Sequence, residues 1–150
     1  MENYSVYEDI ASRTNGDIYI GVVGPVRTGK STFIKRFMEQ LVIPSADESR
    51  RAVMTDELPQ SAAGRTVMTT EPKFVPAQAA KISIREGAEA SVRLVDCVGF
   101  AVEGAGGFEE DGAPRLIKTP WSEQAMPFEK AAKLGTEKVI REHSTIGILM

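Results

Sequence analysis

Three residue types occur once each in these 150 residues: cysteine (Cys97), histidine (His143) and tryptophan (Trp121). A lone cysteine excludes an internal disulfide and with it the small disulfide-stapled folds of secreted proteins. No apolar run approaches the ~20 residues that cross a bilayer as a helix. The start, Met1-Glu2-Asn3-Tyr4, lacks the basic and apolar parts of a signal peptide. Basic clusters are missing beyond Lys35-Arg36 and Arg50-Arg51, and the formal net charge is −3. General nucleic-acid binding is therefore not expected. These absences together fit a reducing cytoplasm.

What is present is a chain of one domain, or part of one, with 42% hydrophobic residues. That fraction suffices for a core. Gly24-Pro25-Val26-Arg27-Thr28-Gly29-Lys30-Ser31 fits the phosphate-binding loop pattern G-x-x-x-x-G-K-S/T. A polyphosphate needs several backbone N–H donors converging on it, and glycine lets the main chain come close enough. Gly24 makes the turn out of a strand. Gly29 permits the turn into a helix whose free N–H groups and positive dipole end face the anion. In this pattern Lys30 reaches the β- and γ-phosphates, and the Ser31 hydroxyl binds Mg²⁺. The expected nucleotide contacts run from Gly24 to Thr32.

The surroundings suit the motif. Ile18 to Val23 is apolar and partly β-branched, as a buried parallel strand should be. After the loop, Phe33, Ile34, Phe37, Met38 and Leu41 recur at helical spacing. A helix from Lys30 should stop before Pro44. Residues 5–13 suggest a short helix ended by Asn15-Gly16. Ser45-Ala46-Asp47-Glu48 has capping-box spacing, which predicts a second short helix from Ala46 to about Asp56.

Residues 59–72 form a polar loop without periodicity, a length often reserved for function. Thr69 and Thr70 stand where a GTPase-like protein places a threonine that senses the γ-phosphate through Mg²⁺. The plainer reading is that two threonines begin a strand. Lys81–Arg85 and Ser91–Val95 predict an antiparallel hairpin whose second strand enters the core. It ends in Asp96-Cys97-Val98-Gly99. At a strand end beside a phosphate loop, the acid of such an Asp-x-x-Gly lies next to Mg²⁺, usually through water. Its glycine offers an N–H to the γ-phosphate and serves as a hinge.

From Phe100 to Phe128 glycine, proline and acidic residues preclude a long helix and suggest an enlarged second switch acting as a lid. Trp121 within it is explained by local packing or by anchoring to a surface. Glu129 to Glu142 reads as a helix with a mild interruption at Gly135. Ser144 to Met150 reads as another buried strand, and with no helix after it the domain is expected to be truncated. His143 at a helix end is explained by dipole complementation or exposure, and Cys97 by buried packing. Arg27 either helps neutralise transition-state charge or forms a salt bridge elsewhere.

Several stretches together carry a resemblance. They are Gly16-Asp17-Ile18-Tyr19, Val26 to Ile34, Asp56 to Gly64, Met68 to Pro76, Arg93 to Gly99 and Glu142 to Gly147. On them the chain resembles the stage IV sporulation protein A family of spore-coat morphogenetic ATPases. The resemblance implies a GTPase-type fold that hydrolyses ATP and assembles into a static polymer, the basement layer of the coat. It also implies a location on the mother-cell face of the forespore membrane, a small amphipathic peptide as tether, other coat proteins as partners, and further domains past residue 150. By the same resemblance Lys30 has the phosphate-loop lysine role, Asp96 the Mg²⁺-side acid role, and Thr69 and Thr70 the sensor role.

The expected fold is thus a three-layer α/β domain of the P-loop, GTPase-like kind with a mostly parallel sheet. The expected activity is Mg²⁺-dependent ATP hydrolysis. Lys30, Thr69, Thr70 and Asp96 serve catalysis, Ser31, Asp96 and Thr70 the metal, and residues 24–32 with Gly99 the nucleotide. An assembly or signalling GTPase, and a structural module that binds nucleotide without turnover, share these motifs.

Overall fold

Ile18, Tyr19, Ile20, Val22 and Val23 favour extended backbone, and they lie in strand β1 (Asp17–Val23). The computed structural model describes residues 15–60, 70–86, 88–103 and 108–150. The helix expected over residues 5–13 lies outside these. Helix α1 (Lys30–Phe37) follows the glycine-rich loop. It then widens over Met38–Val42, where the Ile43 N–H reaches back five residues to the Met38 carbonyl. A single 3₁₀ turn, Ile43–Ser45, carries the chain one residue past Pro44. Proline fits the opening of such a turn because no partner is needed for the N–H it lacks.

Helix α2 spans Glu48–Asp56 with Asp47 at its N-cap. It starts two residues later than the sequence predicts, and the capping box does not form. The Ser45 hydroxyl donates instead to the Leu41 carbonyl at 3.1 Å, in the turn behind it. The hairpin is β2 (Lys73–Arg85) with β3 (Ala88–Asp96). β2 begins eight residues before the predicted Lys81, because its register with β3 breaks between Val75 and Ala80. Pro76 sits in that break, where its missing N–H costs no ladder bond. Arg93 clamps the bulge. Its guanidinium lies over Phe74 (4.4 Å) and Tyr19 (5.6 Å) and donates to the Pro76 and Ala77 carbonyls.

Beyond β3, the segment expected to avoid a long helix folds as two small hairpins. These are β4 (Glu109–Glu110) with β5 (Ala113–Pro114), and β6 (Leu116–Thr119) with β7 (Ser122–Pro127). Helix α3 (Phe128–Lys138) widens over Val139–His143 and passes Gly135 without a break. Strand β8 (Ile146–Leu149) ends the described chain.

The central sheet has the order β2-β3-β1-β8. β1 runs parallel to both β3 and β8, while β2 is antiparallel to β3. The protein is therefore α/β, with a mostly parallel, mixed sheet. Alternation along β1 and β3 sends side chains to two faces. Val22, Val92 and Leu94 pack with Ile34, Met38 and Val42 from α1 and its extension, and with Met54 of α2. Val23, Val95 and Cys97 pack with Val139 on the opposite face. Helices thus cover both faces of the central strands, as parallel strands require. β8 departs from the sequence expectation of a buried strand: Leu149 is 77% exposed and Ile146 44%. Among the described residues it pairs with β1 alone.

Leu94→Ala, at a fully buried position, should destabilise the chain by about 2–5 kcal/mol. Leu149→Ala, on the exposed edge, should change stability by less than about 0.5 kcal/mol. Urea unfolding measures both. Equal midpoints for the two variants would contradict this placement of the core.

Candidate functional site

β1 sits where the sheet changes direction of winding. The chain leaves β1 through α1 to reach β3 on one side, and returns through α3 to reach β8 on the other. Sites in open α/β sheets lie outside the carboxyl ends of the strands at such a point. The segments emerging there are Gly24–Gly29 from β1 and Cys97–Phe100 from β3. They are strapped together: the Val26 N–H donates to the Phe100 carbonyl at 3.0 Å, and the Phe100 N–H to the Gly24 carbonyl at 3.3 Å.

Gly29 is the N-cap of α1 at φ +91°, and Arg27 at the exposed turn has φ +61°. This winding presents the first turn of α1, whose leading N–H groups have no partner within the helix. Lys30 is only 4% exposed. Its ammonium donates to the Pro25 carbonyl at 2.5 Å and lies 3.5 Å from the Thr28 hydroxyl, which itself donates to the Pro25 carbonyl at 2.9 Å. The loop therefore folds around its own lysine. Gly99 closes the other side at φ +93°. A side chain there would collide with the Gly24 carbonyl and with the Lys30 Nζ.

Register places Asp96 beside Val22, at the top of β3. The Ser31 hydroxyl donates to Asp96 Oδ2 at 3.0 Å. The other oxygen, Oδ1, is buried with no hydrogen-bond partner among the described residues. Burial pushes the Asp96 carboxyl above the usual carboxylate range, against the opposing pull of the Ser31 hydrogen bond and the Lys30 charge. Burial also holds the Lys30 ammonium below the usual lysine range, with Cys97 and Asp96 acting in the opposite sense. Two buried groups of opposite charge thus each lack part of the counter-charge they need. An anion beside Lys30 and a cation beside Asp96 would each supply the missing part.

The donor set fits a magnesium ion carried on phosphates. Among the described residues, no group of three or more His, Cys, Asp or Glu is placed to hold a metal unaided. One carboxylate with a half-free oxygen and one hydroxyl suit Mg²⁺, which takes one or two protein oxygens and completes its shell with phosphate and water.

The remaining expectations resolve unevenly. Thr69 lies outside the described residues. Thr70 is 1% exposed, and its hydroxyl is buried without a hydrogen-bond partner among the described residues. It does not begin a strand, since β2 starts three residues later. Val26 and Pro25 belong to the strap, Arg27 is exposed at the turn, and Thr32 is exposed on the first turn of α1. Cys97 is buried, its thiol donating to the Val22 carbonyl at 3.4 Å. His143 stands edge-on to Phe74 at 5.7 Å. Trp121 packs locally, with the Lys138 ammonium 5.8 Å from its ring centre. Sequence reasoning missed Lys73, which pairs with Asp96 across the β2–β3 ladder and adds a nearby positive charge. No spacing rule signals it, because the contact depends on register.

The family described as "Stage IV sporulation protein A, ATPase domain" matches residues 1–150. Among curated relatives, the chain is 62% identical over its whole length to stage IV sporulation protein A of Bacillus anthracis. It is 59% identical, again over its whole length, to the protein of that name in Bacillus subtilis (strain 168). The Clostridioides difficile (strain 630) protein of that name is 62% identical over 99% of the chain. The chain spans 31%, 31% and 30% of these relatives' lengths. No solved structure matches it at a significant level.

The folded chain holds the Asp96 proton more tightly than an unfolded chain with the ordinary value of 3.8. Stability therefore falls as pH rises from 3.8 through the folded value, and stays reduced above it. Asp96→Asn removes that penalty. Without nucleotide its thermal midpoint should exceed that of the unaltered chain at pH 7, with the difference closing below pH ~4. A lower midpoint at pH 7 would show that the carboxylate is well compensated as it stands.

Proposed function

The chain belongs to the stage IV sporulation protein A ATPase-domain family, and we propose that it binds ATP with Mg²⁺ and hydrolyses it on a P-loop, GTPase-like fold. One observation carries the reading. The Ser31 hydroxyl meets Asp96 Oδ2 directly beneath a glycine-wound loop that encloses Lys30. In this reading the backbone N–H groups of residues 25–31 bind the phosphates, and Thr32 and Gly99 complete the contacts. Lys30 exchanges its internal carbonyl partner for phosphate oxygen and offsets the charge that spreads over the transferred group. Ser31, Asp96 and Thr70 would hold the metal, which would supply positive charge to offset that of the phosphates. Thr69 or Thr70 orients the attacking water. Arg27, exposed at the turn, is free to approach the phosphates from solvent.

The family resemblance extends the proposal. Hydrolysis drives self-assembly of a spore-coat basement layer on the mother-cell face of the forespore, with a small amphipathic peptide and other coat proteins as partners. Among the described residues no helix is long and apolar enough to cross a membrane.

Calorimetric titration with ATP and GTP, with and without Mg²⁺, tests the reading. ATP should bind more tightly than GTP, and only with Mg²⁺ at full strength. Lys30→Ala should lose about 2 kcal/mol or more of ATP affinity, roughly thirtyfold. Near-unaltered affinity in that variant contradicts the assignment. Replacing Thr69 and Thr70 together by alanine should spare affinity and lower phosphate release. Unchanged release removes their role, and no release from the unaltered chain in a single turnover leaves a binding module in place of an enzyme.

A further inference from the structure

Gly135 occupies the middle of α3, where glycine costs about 1 kcal/mol relative to alanine. Its neighbours explain what that cost secures. A Cβ at Gly135 would stand 2.6 Å from the Thr70 carbonyl oxygen and 3.9 Å from Cζ2 of Trp121. The former is closer than real Cβ atoms approach, and the obstacle is backbone. Two segments that the sequence marks as switch candidates therefore meet on one helix at one bare Cα.

We propose that Gly135 is a positioning residue for Thr70: it lets the Thr70 backbone seat against α3, beside Trp121 at the turn of the β6–β7 hairpin. This rests on the ATPase reading given above. Thr70 is held from two directions, by Gly135 and, three residues on, by the Lys73–Asp96 pairing of β2 with β3. Before nucleotide binds, these contacts set where its buried hydroxyl sits, and that hydroxyl has no hydrogen-bond partner among the described residues. The hairpin is joined to the same helix. The Phe128 N–H donates to the Arg115 carbonyl at 2.7 Å, the Arg115 guanidinium lies 4.8 Å over the Phe128 ring, and the Lys138 ammonium lies over Trp121. A shift of Thr70 on nucleotide binding is thereby passed to Trp121. The indole N–H is buried with no hydrogen-bond partner among the described residues, so its emission is sensitive to such a shift.

Trp121 is the sole tryptophan of the chain, so the experiment is intrinsic fluorescence run beside calorimetry and phosphate release on the full chain. The unaltered protein should change emission on binding a non-hydrolysable ATP analogue with Mg²⁺, and change less with ADP. Gly135→Ala should bind the analogue within about threefold of normal, because the phosphate loop is untouched. It should release phosphate roughly ten- to a hundredfold more slowly and lose the emission change. Gly147→Ala, where a methyl group meets nothing within 4 Å, should match the unaltered protein in every readout. Gly135→Ala with normal turnover and normal emission change overturns the proposal while leaving ATP hydrolysis standing. If that variant does not fold, the unaltered protein decides: identical emission with the ATP analogue and ADP overturns the proposal. Failure of the unaltered protein to bind ATP in the calorimeter overturns both the ATPase reading and this role.

Discussion

A single hydrogen bond, from the Ser31 hydroxyl to Asp96 Oδ2, joins the two halves of the site. One partner opens α1, and the other ends β3, 65 residues later. Everything that places them serves this contact. Parallel pairing of β1 with β3 brings Asp96 level with Val22. The strap between residues 24–26 and Phe100 then holds the two emerging segments together. The glycine at position 99 leaves space for Lys30 beneath the loop.

Electrostatics supports reading this geometry as the proposed site. Lys30 and Asp96 are both drawn out of water, and burial displaces each toward its neutral form. Folding alone gains little from such a pair, since buried charges seldom return their desolvation cost. Their arrangement gains when an anion reaches one and a cation the other. Thr70 adds a third polar group, an enclosed hydroxyl without a hydrogen-bond partner among the described residues. The core below, Leu94 and Val22 on one face and Val95 and Val139 on the other, keeps these groups in place.

Much of this was legible in the sequence because local chemistry dictates it. The glycines of the loop after β1, the apolar run of β1 and the helical spacing after Lys30 each act over a few residues. Asp96 was legible because an apolar strand leads into it. The failures have equally physical causes. Ser45-to-Glu48 has capping-box spacing, but the turn through Pro44 points the Ser45 hydroxyl back to Leu41, so Asp47 takes the N-cap. In sequence β2 reads too short because Pro76 interrupts its alternation, while Arg93, stacked on Phe74 and Tyr19, holds the interruption in the sheet. The apolar residues of β8 suggest a buried strand, yet among the described residues it pairs with β1 alone. Gly135 drew notice as a helix blemish. Its partner, the Thr70 carbonyl, is 65 positions away in sequence, and only the fold brings them together.

The structure of the chain in complex with a non-hydrolysable ATP analogue and Mg²⁺ is the most direct test of the central claim. The account predicts that Lys30 Nζ leaves the Pro25 carbonyl for the β- and γ-phosphates, with the metal between those phosphates and the Ser31–Asp96 pair. A nucleotide bound elsewhere, or a Lys30 still turned inward on Pro25 beneath a bound triphosphate, would contradict it.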